Sequence, residues 1–272
     1  MRRGLIYKMF SVVIPIYNSE KTIIQVLDSV RLQTRADLVD EVILVNDGST
    51  DNSEKIVQKY IDEHKEFNII YIYQKNKGPS AARNKGLIRA SSEWIALLDS
   101  DDVWHKNKIE KQYRVIKENP EIVFLGAEKN FRILFKKHSG LYKAKITDLC
   151  WKSFPVTPSI VFRKSAIEKV GFFNENRKYG EDIEYYQKFC IYYNYYILCE
   201  DLVDIGIQKK GFAESGLTSN LYLMHLGRCE NLKEIYKMNA ISKYRYCIMQ
   251  SFNWIKYFRR LLLVKLDRFM NR

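Results

Sequence analysis

Apolar runs alternate with amphipathic stretches over the first hundred residues, and this alternation constrains the fold more than any other feature of the chain. Four apolar runs are expected to form strands, at residues 10–16, 41–46, 69–73 and 94–99. The stretches between them have the apolar spacing of helices, at about residues 20–33, 52–65 and 79–90. Strands that alternate with helices in this way predict a mostly parallel, Rossmann-like α/β sheet flanked by helices.

Polar sequences follow the predicted strands at the points where the strands end. They read PIYNSE after the first strand, NDGSTDNS after the second and DSDD after the fourth. A further polar segment, NKGPSAARNKG, joins the third strand to its helix. Ligands of parallel sheets bind at the carboxyl ends of the strands, so we expect a binding site along this edge.

The acidic segment DSDD follows the apolar run that ends at Leu98. Two carboxylates about 5 Å apart repel each other by about 3 kcal/mol at an effective dielectric constant of about 20. Mg²⁺ or Mn²⁺ removes this repulsion, and these ions accept one or two carboxylates completed by water and phosphate oxygens. Two pairs of metal ligands are compatible with the sequence: Asp99 with Asp101, or Asp101 with Asp102. The alternative to a metal site is an exposed acidic turn that caps the next helix.

Three other segments are compatible with a bound nucleotide. Pro15 ends the first strand and leaves Tyr17 free, whose ring suits a flat base. Asp47 is expected beside Tyr17 on the adjacent strand, although an ordinary Asp-Gly turn is the simpler explanation of its segment in isolation. Lys77 and Arg83 flank a Gly-Pro turn that opens a helix, where positive charge and free N–H groups favour a diphosphate. A solvated helix start is the alternative there.

The segment YGEDIEYYQKF places Glu181 and Asp182 at the start of a helix. The helix dipole stabilises acidic residues in a first turn, which explains the pair without any function. A general base also requires a carboxylate that is held ionised in a pocket, and Asp182 is the candidate for that role.

In this order, SVVIPIYNSE, VNDGSTDNS, NKGPSAARNKG, LLDSDD and GED resemble the family 2 glycosyltransferases of the GT-A fold, across residues 11–190. The resemblance implies an inverting enzyme, of hexosyl- or N-acetylhexosaminyltransferase type. Such an enzyme transfers a sugar from a nucleotide diphosphate donor, usually UDP-linked, to an acceptor hydroxyl. The predicted donor-binding residues are then Pro15, Tyr17, Glu20, Asp47, Lys77, Arg83, Asp99 and Ser100.

The resemblance also implies a D-x-D metal site and a base. Asp101, with Asp99, is the implied ligand of Mn²⁺ or Mg²⁺, and Asp182 is the implied base. His225 is a further candidate ligand, although a lone His on a helical face is usually structural. The acceptor implied by the resemblance is a glycan or a polyprenyl-linked glycan of bacterial surface polysaccharide or glycoconjugate synthesis.

The chain is expected to divide into a nucleotide-sugar-binding half at 1–105, an acceptor-binding half at 106–215 that continues the sheet with mixed strand direction, and a basic helical extension at 216–272. Residues 233–272 hold ten Lys or Arg against two acidic residues, which is +8 of the net charge of +13. This end favours an anionic surface.

Residues 251–272 have the pattern of an amphipathic helix. The residues of its apolar face are Trp254, Ile255, Phe258, Leu261, Leu262, Leu266 and Phe269, and Lys256 and Arg260 lie opposite. Such a helix is typical of a peripheral contact with an anionic membrane, so we expect it at the inner face of the cell membrane. Packing on the domain or on a second copy of the chain in a homo-oligomer is the alternative.

Other classes of protein fit the sequence less well. The chain has no long apolar run that would span a membrane, and its five cysteines form no C-x-x-C pair, which favours the cytoplasm. A sugar nucleotidyltransferase would carry a Gly-rich N-terminal loop with a Lys, where this chain has PIYNSE. A non-catalytic RNA- or lipid-binding protein would explain the charge but not the carboxylates at strand ends, so nucleic acid is not the expected partner.

Overall fold

The computed structural model describes residues 8–134, 136–207 and 220–270. Its strands are β1 (Phe10–Ile16), β2 (Val39–Asp47), β3 (Ile69–Gln74), β4 (Trp94–Leu97), β5 (Val103–Trp104), β6 (Phe124–Ala127), β7 (Arg132–Ile133), β8 (Lys136–Lys137), β9 (Leu141–Ala144), β10 (Val161–Arg163), β11 (Tyr195–Leu198) and β12 (Val203–Asp204). Its helices are α1 (Ile23–Arg31), α2 (Ser53–Glu63), α3 (Pro79–Arg89), α4 (Lys108–Glu118), α5 (Ile146–Trp151), α6 (Ile167–Val170), α7 (Glu181–Tyr192), α8 (Leu221–Lys237) and α9 (Lys243–Met270).

Eight of the strands form one sheet, in the order β3-β2-β1-β4-β10-β6-β11-β9. The first four strands of this order pair in parallel, and so do β6 and β11. β10 lies antiparallel between β4 and β6, and β9 is antiparallel to β11 at the edge. The predicted α/β class is confirmed, with a parallel half followed by a continuation of mixed direction.

Apolar layers cover both faces of the sheet, because side chains along a strand point alternately to the two sides. In β1, Val12 and Ile14 pack with α1, α2 and α4, while Val13 packs on the opposite face with α3, α6 and α7. This arrangement leaves the carboxyl ends of β1, β2 and β4 as the polar edge of the parallel half.

Some element boundaries differ from the prediction. α1 begins at Ile23 rather than near residue 20, because the residues after β1 form a polar loop hydrogen-bonded to neighbouring loops. β4 ends at Leu97. α9 begins at Lys243 rather than residue 251, so the last helix is longer than the sequence pattern indicated.

α3 approaches the sheet closely because Gly86 carries no side chain. A Cβ atom at Gly86 would lie 2.4 Å from Cγ1 of Val13, which is fully buried in β1. The close approach brings Arg83, one turn earlier on α3, to Asp99 at the end of β4.

The last two helices form a unit with α5. Leu232 and Ile235 of α8 pack with Met249 of α9 and Cys150 of α5 in a third apolar cluster. Within the described residues, no helix is long and apolar enough to cross a membrane.

Gly86→Val is expected to lower the free energy of unfolding by about 2 kcal/mol, because the added methyl groups overlap the stiff side chain of Val13. Chemical denaturation measures the free energy of unfolding of the variant and of the wild type. Ile88→Val, on the exposed side of the same helix, is the matched control and is expected to change the free energy of unfolding by less than about 0.5 kcal/mol. Equal stability of the two variants would show that α3 does not need the close contact.

Candidate active site

An open cleft lies at the carboxyl ends of β1 and β4, with a volume of about 590 Å³. The residues that line it are Tyr17, Asn18, Ser19, Glu20, Lys21, Thr22, Asp51, Ser100 and Asp101. Four of the residues predicted from the sequence therefore lie together in this cleft: Tyr17, Glu20, Ser100 and Asp101. Pro15, the penultimate residue of β1, lies behind them.

Hydroxyl groups join the two loops that form the cleft. The hydroxyls of Ser19 and Ser100 lie 2.6 Å apart, and Thr22 Oγ1 donates to the carbonyl oxygen of Ser100 at 2.6 Å. The backbone N–H of Ser19 donates to Ser53 Oγ at 2.7 Å. These bonds hold the loop after β1 against both the acidic loop and the start of α2, so the cleft is preorganised.

Glu20 and Asp51 satisfy backbone donors at the start of α2. Glu20 Oε2 accepts from the backbone N–H of Asn52 at 3.0 Å, and Asp51 Oδ1 accepts from that of Ser53. Free N–H groups of a first turn are normally satisfied in this way. Tyr17 is 51% exposed, so its ring is available to a flat ligand.

Asp47 is directed at the loop between β3 and α3. Its Oδ1 accepts from Gln74 Nε2 and from the backbone N–H of Lys77, and its Oδ2 accepts from the backbone N–H of Gly78 at 2.8 Å. Asp47 therefore fixes the loop that carries the exposed side chain of Lys77. Direct contact of Asp47 with a base stays a prediction.

Arg83 is buried among carboxylates, with 6% of its surface exposed. Its Nη2 donates to Asp99 Oδ1 at 2.6 Å, and its Nη1 lies 3.6 Å from Glu181 Oε1. The guanidinium also lies over the ring of Phe173, 5.5 Å from the centroid. The neighbouring carboxylates, Asp99 foremost, outweigh the effect of burial and raise the Arg83 pKa, so this residue remains charged.

The acidic pair at the start of α7 belongs to the same network. Burial, reinforced by the neighbouring charge of Asp182, raises the pKa of Glu181 to about 7. Burial also raises the pKa of Asp182, against the opposing effects of a 2.7 Å hydrogen bond from the backbone N–H of Ile183 and of Arg83. Glu181 and Asp182 are therefore more easily protonated than exposed acids.

The three aspartates of the acidic loop are placed differently. Asp99 has one oxygen engaged by Arg83, and Asp102 is buried with Oδ1 accepting from the backbone N–H of Gly206 at 2.7 Å. Asp101 lines the cleft. The described residues contain no group of three or more His, Cys, Asp or Glu side chains arranged around a metal. A divalent ion here would need phosphate or water ligands besides Asp101, which is typical of Mg²⁺.

His225 lies in an aromatic contact between α8 and α9. Its ring stacks on Tyr257 at 4.6 Å and meets Trp254 edge-on at 4.3 Å. Burial lowers the His225 pKa. These contacts favour the structural interpretation of His225 over the metal-ligand one.

Several residues of the site were not predicted from the sequence. Phe173 supports the Arg83 guanidinium, and Asn84 fixes Phe173 through two hydrogen bonds of 2.8 and 2.9 Å to its backbone. Ser19 and Thr22 hold the cleft loops. Their polar side chains beside a strand end were a signal that the sequence offered. Phe173 is far from Arg83 in the sequence, and no local pattern indicated its contact with Arg83.

Most of the chain is similar to a known protein family. The family model "Glycosyl transferase family 2" matches residues 11–194. A protein of Rickettsia felis described as an uncharacterized glycosyltransferase is 32% identical over 179 residues, which are 63% of this chain and 28% of that protein. Glycosyltransferase GlyG of Streptococcus pneumoniae is 36% identical over 125 residues, 46% of this chain and 40% of that one. The first relatives are matched over 25% to 66% of their own length.

The fold is that of TarS from S. aureus. Its crystal structure in complex with UDP superposes with a TM-score of 0.68 at 21% identity, over 92% of this chain and 72% of that one. A further TarS structure contains UDP-GlcNAc. Since the family model covers residues 11–194 and contains the cleft, Arg83 and the acidic pair, the chain belongs to glycosyltransferase family 2.

Proposed function

We propose that the protein is an inverting glycosyltransferase that moves a sugar from a UDP-sugar to a hydroxyl of a glycan or lipid-linked glycan. The observation that supports this most strongly is the network around Arg83. Arg83 links Asp99, in the acidic loop beside the cleft, to the acidic pair that contains Asp182. The buried Arg83 would therefore connect the proposed donor site to the candidate base.

The cleft suits the nucleotide part of a donor. Tyr17 offers a ring for the base, and the ordered loops around Ser100 offer polar groups for the ribose. Lys77 is our proposed diphosphate ligand, on the loop that Asp47 fixes. The TarS complexes with UDP and UDP-GlcNAc support a UDP-linked donor by analogy.

Asp101, with the remaining oxygen of Asp99, is the proposed holder of Mn²⁺ or Mg²⁺. When bound, the ion would neutralise charge that develops on the leaving diphosphate. Arg83 supports this arrangement by fixing Asp99 in place and by offsetting the charge of the acidic loop.

Asp182 is the proposed base. Its position at the start of α7 is fixed by the hydrogen bond from Ile183, and Arg83 favours its ionised form. In this proposal Asp182 takes the proton of the acceptor hydroxyl while the hydroxyl oxygen attacks the anomeric carbon on the face opposite UDP. A single displacement inverts the configuration at that carbon.

We place the reaction in bacterial surface polysaccharide or glycoconjugate synthesis, at the inner face of the cell membrane. The outward side of α9 supports this location. Trp254, Ile255, Phe258 and Leu262 are each more than 40% exposed, beside the exposed Arg259. An apolar helical face with cations is typical of interfacial helices.

Asp101→Ala is expected to reduce UDP release from UDP-GlcNAc by about 100-fold or more, because the site loses its ion ligand. Release is measured with Mn²⁺ and with chelator, and the wild type is expected to lose activity when the ion is removed. Asp62→Ala, which replaces an exposed acid on α2, is the control with unchanged activity.

Asp182→Asn is expected to keep metal-dependent UDP binding, measured by calorimetry, and to lose transfer of the sugar. Full activity of Asp101→Ala, or of the wild type in chelator, would contradict the metal site.

Replacing Trp254, Phe258 and Leu262 together by Ser is expected to reduce co-sedimentation with vesicles that contain about 30% anionic lipid by about tenfold, because the apolar face no longer inserts. Replacing the exposed Tyr244 by Ser, near the start of the same helix, is the single-site control and is expected to have a small effect. Equal sedimentation of the triple variant and the wild type would contradict the proposed membrane contact.

A further inference from the structure

A second groove, of about 490 Å³, lies between the β7–β8 hairpin, the end of α5 and the last two helices. Four basic side chains line it, on four different segments: Arg132, Lys152, Arg228 and Lys256. No acidic side chain lines this groove among the residues that the structure describes. The concentration of positive charge marks the groove as a site for an anion.

The orientation of α9 contributes one of these four charges. Lys256 lies on the side of α9 that faces the domain, and its Nζ donates to the carbonyl oxygen of Trp151 at 2.7 Å. Trp254 and Phe258 lie on the exposed side. The side of α9 that faces the domain also carries the buried Met249, so Lys256 lies beside apolar residues there.

The groove's cations are only partly neutralised by the protein. Lys152 forms an ion pair with Glu128. Arg228 forms no ion pair with any described carboxylate, and its Nε is buried without a hydrogen-bond partner. Burial, together with the charge of Arg228, lowers the pKa of Lys256 to about 8. Burial likewise lowers the Arg228 pKa. A bound anion would relieve both effects.

The groove also leads toward the proposed base. A small cavity shares Trp151, Ser153, Arg228 and Lys256 with the groove, and Ile183 of α7 also lines it. Ile183 follows Asp182 directly, and the Asp182 carboxylate acts electrostatically on Arg228. A molecule whose anionic group lies in the groove would thus lie on the acceptor side of the site.

We propose that this groove binds a phosphate or pyrophosphate group of the acceptor, with Arg228 and Lys256 as its principal ligands. The proposal rests on the proposed function, since it assigns the groove to the acceptor of that transfer. Arg132 and Lys152 form the outer rim and guide the anion inward. Phe252, packed edge-on against Trp151 at 5.0 Å, provides an apolar wall for the part of the acceptor next to the phosphate.

The test is calorimetric titration of the full chain with inorganic pyrophosphate in the presence of chelator. Without a metal, the acidic loop disfavours pyrophosphate at the donor cleft. We expect Arg228→Gln and Lys256→Gln to weaken binding by about tenfold each, because each removes a charge-assisted hydrogen bond. Lys233→Gln, on the exposed side of α8, is the matched control with unchanged affinity. No binding to the wild type, or equal binding to all variants, would overturn the proposal.

Arg132→Gln provides a variant that does not depend on the buried residues. Arg132 is exposed, so its replacement does not threaten folding, and we expect pyrophosphate binding to weaken about threefold. Hydrolysis of UDP-GlcNAc without acceptor is measured in parallel. If every variant hydrolyses UDP-GlcNAc at the wild-type rate and binds pyrophosphate as tightly as the wild type, the groove proposal fails and the proposed function stands. If the wild type hydrolyses no member of a panel of UDP-sugars, the proposed function fails.

Two sources of the phosphate are separated by two further titrations. One uses farnesyl pyrophosphate in detergent micelles and the other a soluble poly(glycerol phosphate). Binding of either that weakens in Arg228→Gln supports the groove, and the tighter of the two identifies a lipid-linked pyrophosphate or a phosphodiester polymer as the source. Binding of both that is insensitive to Arg228→Gln would count against the groove.

Discussion

Arg83 is the positive charge on which the acidic edge of this sheet depends. It holds Asp99 at 2.6 Å and Glu181 at 3.6 Å in a buried position, where an unpaired carboxylate would cost several kcal/mol. Gly86 permits this by letting α3 lie close to β1. Through Arg83, the loop after β4 and the start of α7 become one structure, and the proposed donor and acceptor sides of the reaction meet there.

Much of the parallel half could be predicted from the sequence, because a buried βαβ unit imposes both its period and its polar strand ends. β1 has the predicted bounds, and Tyr17, Glu20, Ser100 and Asp101 lie in one cleft. The meeting of Asp99 and Glu181 at Arg83 could not be predicted, because the two acids are far apart in the sequence and come together only in the tertiary fold. No local periodicity encodes that pairing of distant segments.

The last helix shows a different limit of sequence reasoning. Trp254, Phe258 and Leu262 lie on one side as the pattern predicts, whereas the side chains of Leu266 and Phe269 lie outside the described residues. The pattern does not say which face contacts the domain. The structure turns Lys256 inward and Trp254 outward. One helix thereby exposes an apolar surface, where we propose the membrane contact, and places a cation in the groove beside the proposed base. Both proposals for the acceptor side follow from this single orientation, and the His225 contact with Tyr257 helps to fix it.

The most direct test of the Arg83 network is a double-mutant cycle of Arg83→Met and Asp99→Asn, read as free energies of unfolding at neutral pH. Arg83→Met leaves the half-buried Asp99 without its cation, and Asp99→Asn leaves the buried Arg83 with Glu181 alone. The double variant removes both charges of the Arg83–Asp99 pair. We predict a coupling energy of about 2 kcal/mol, with the double variant more stable than the sum of the single changes implies. Additive changes, within about 0.5 kcal/mol, would contradict the account.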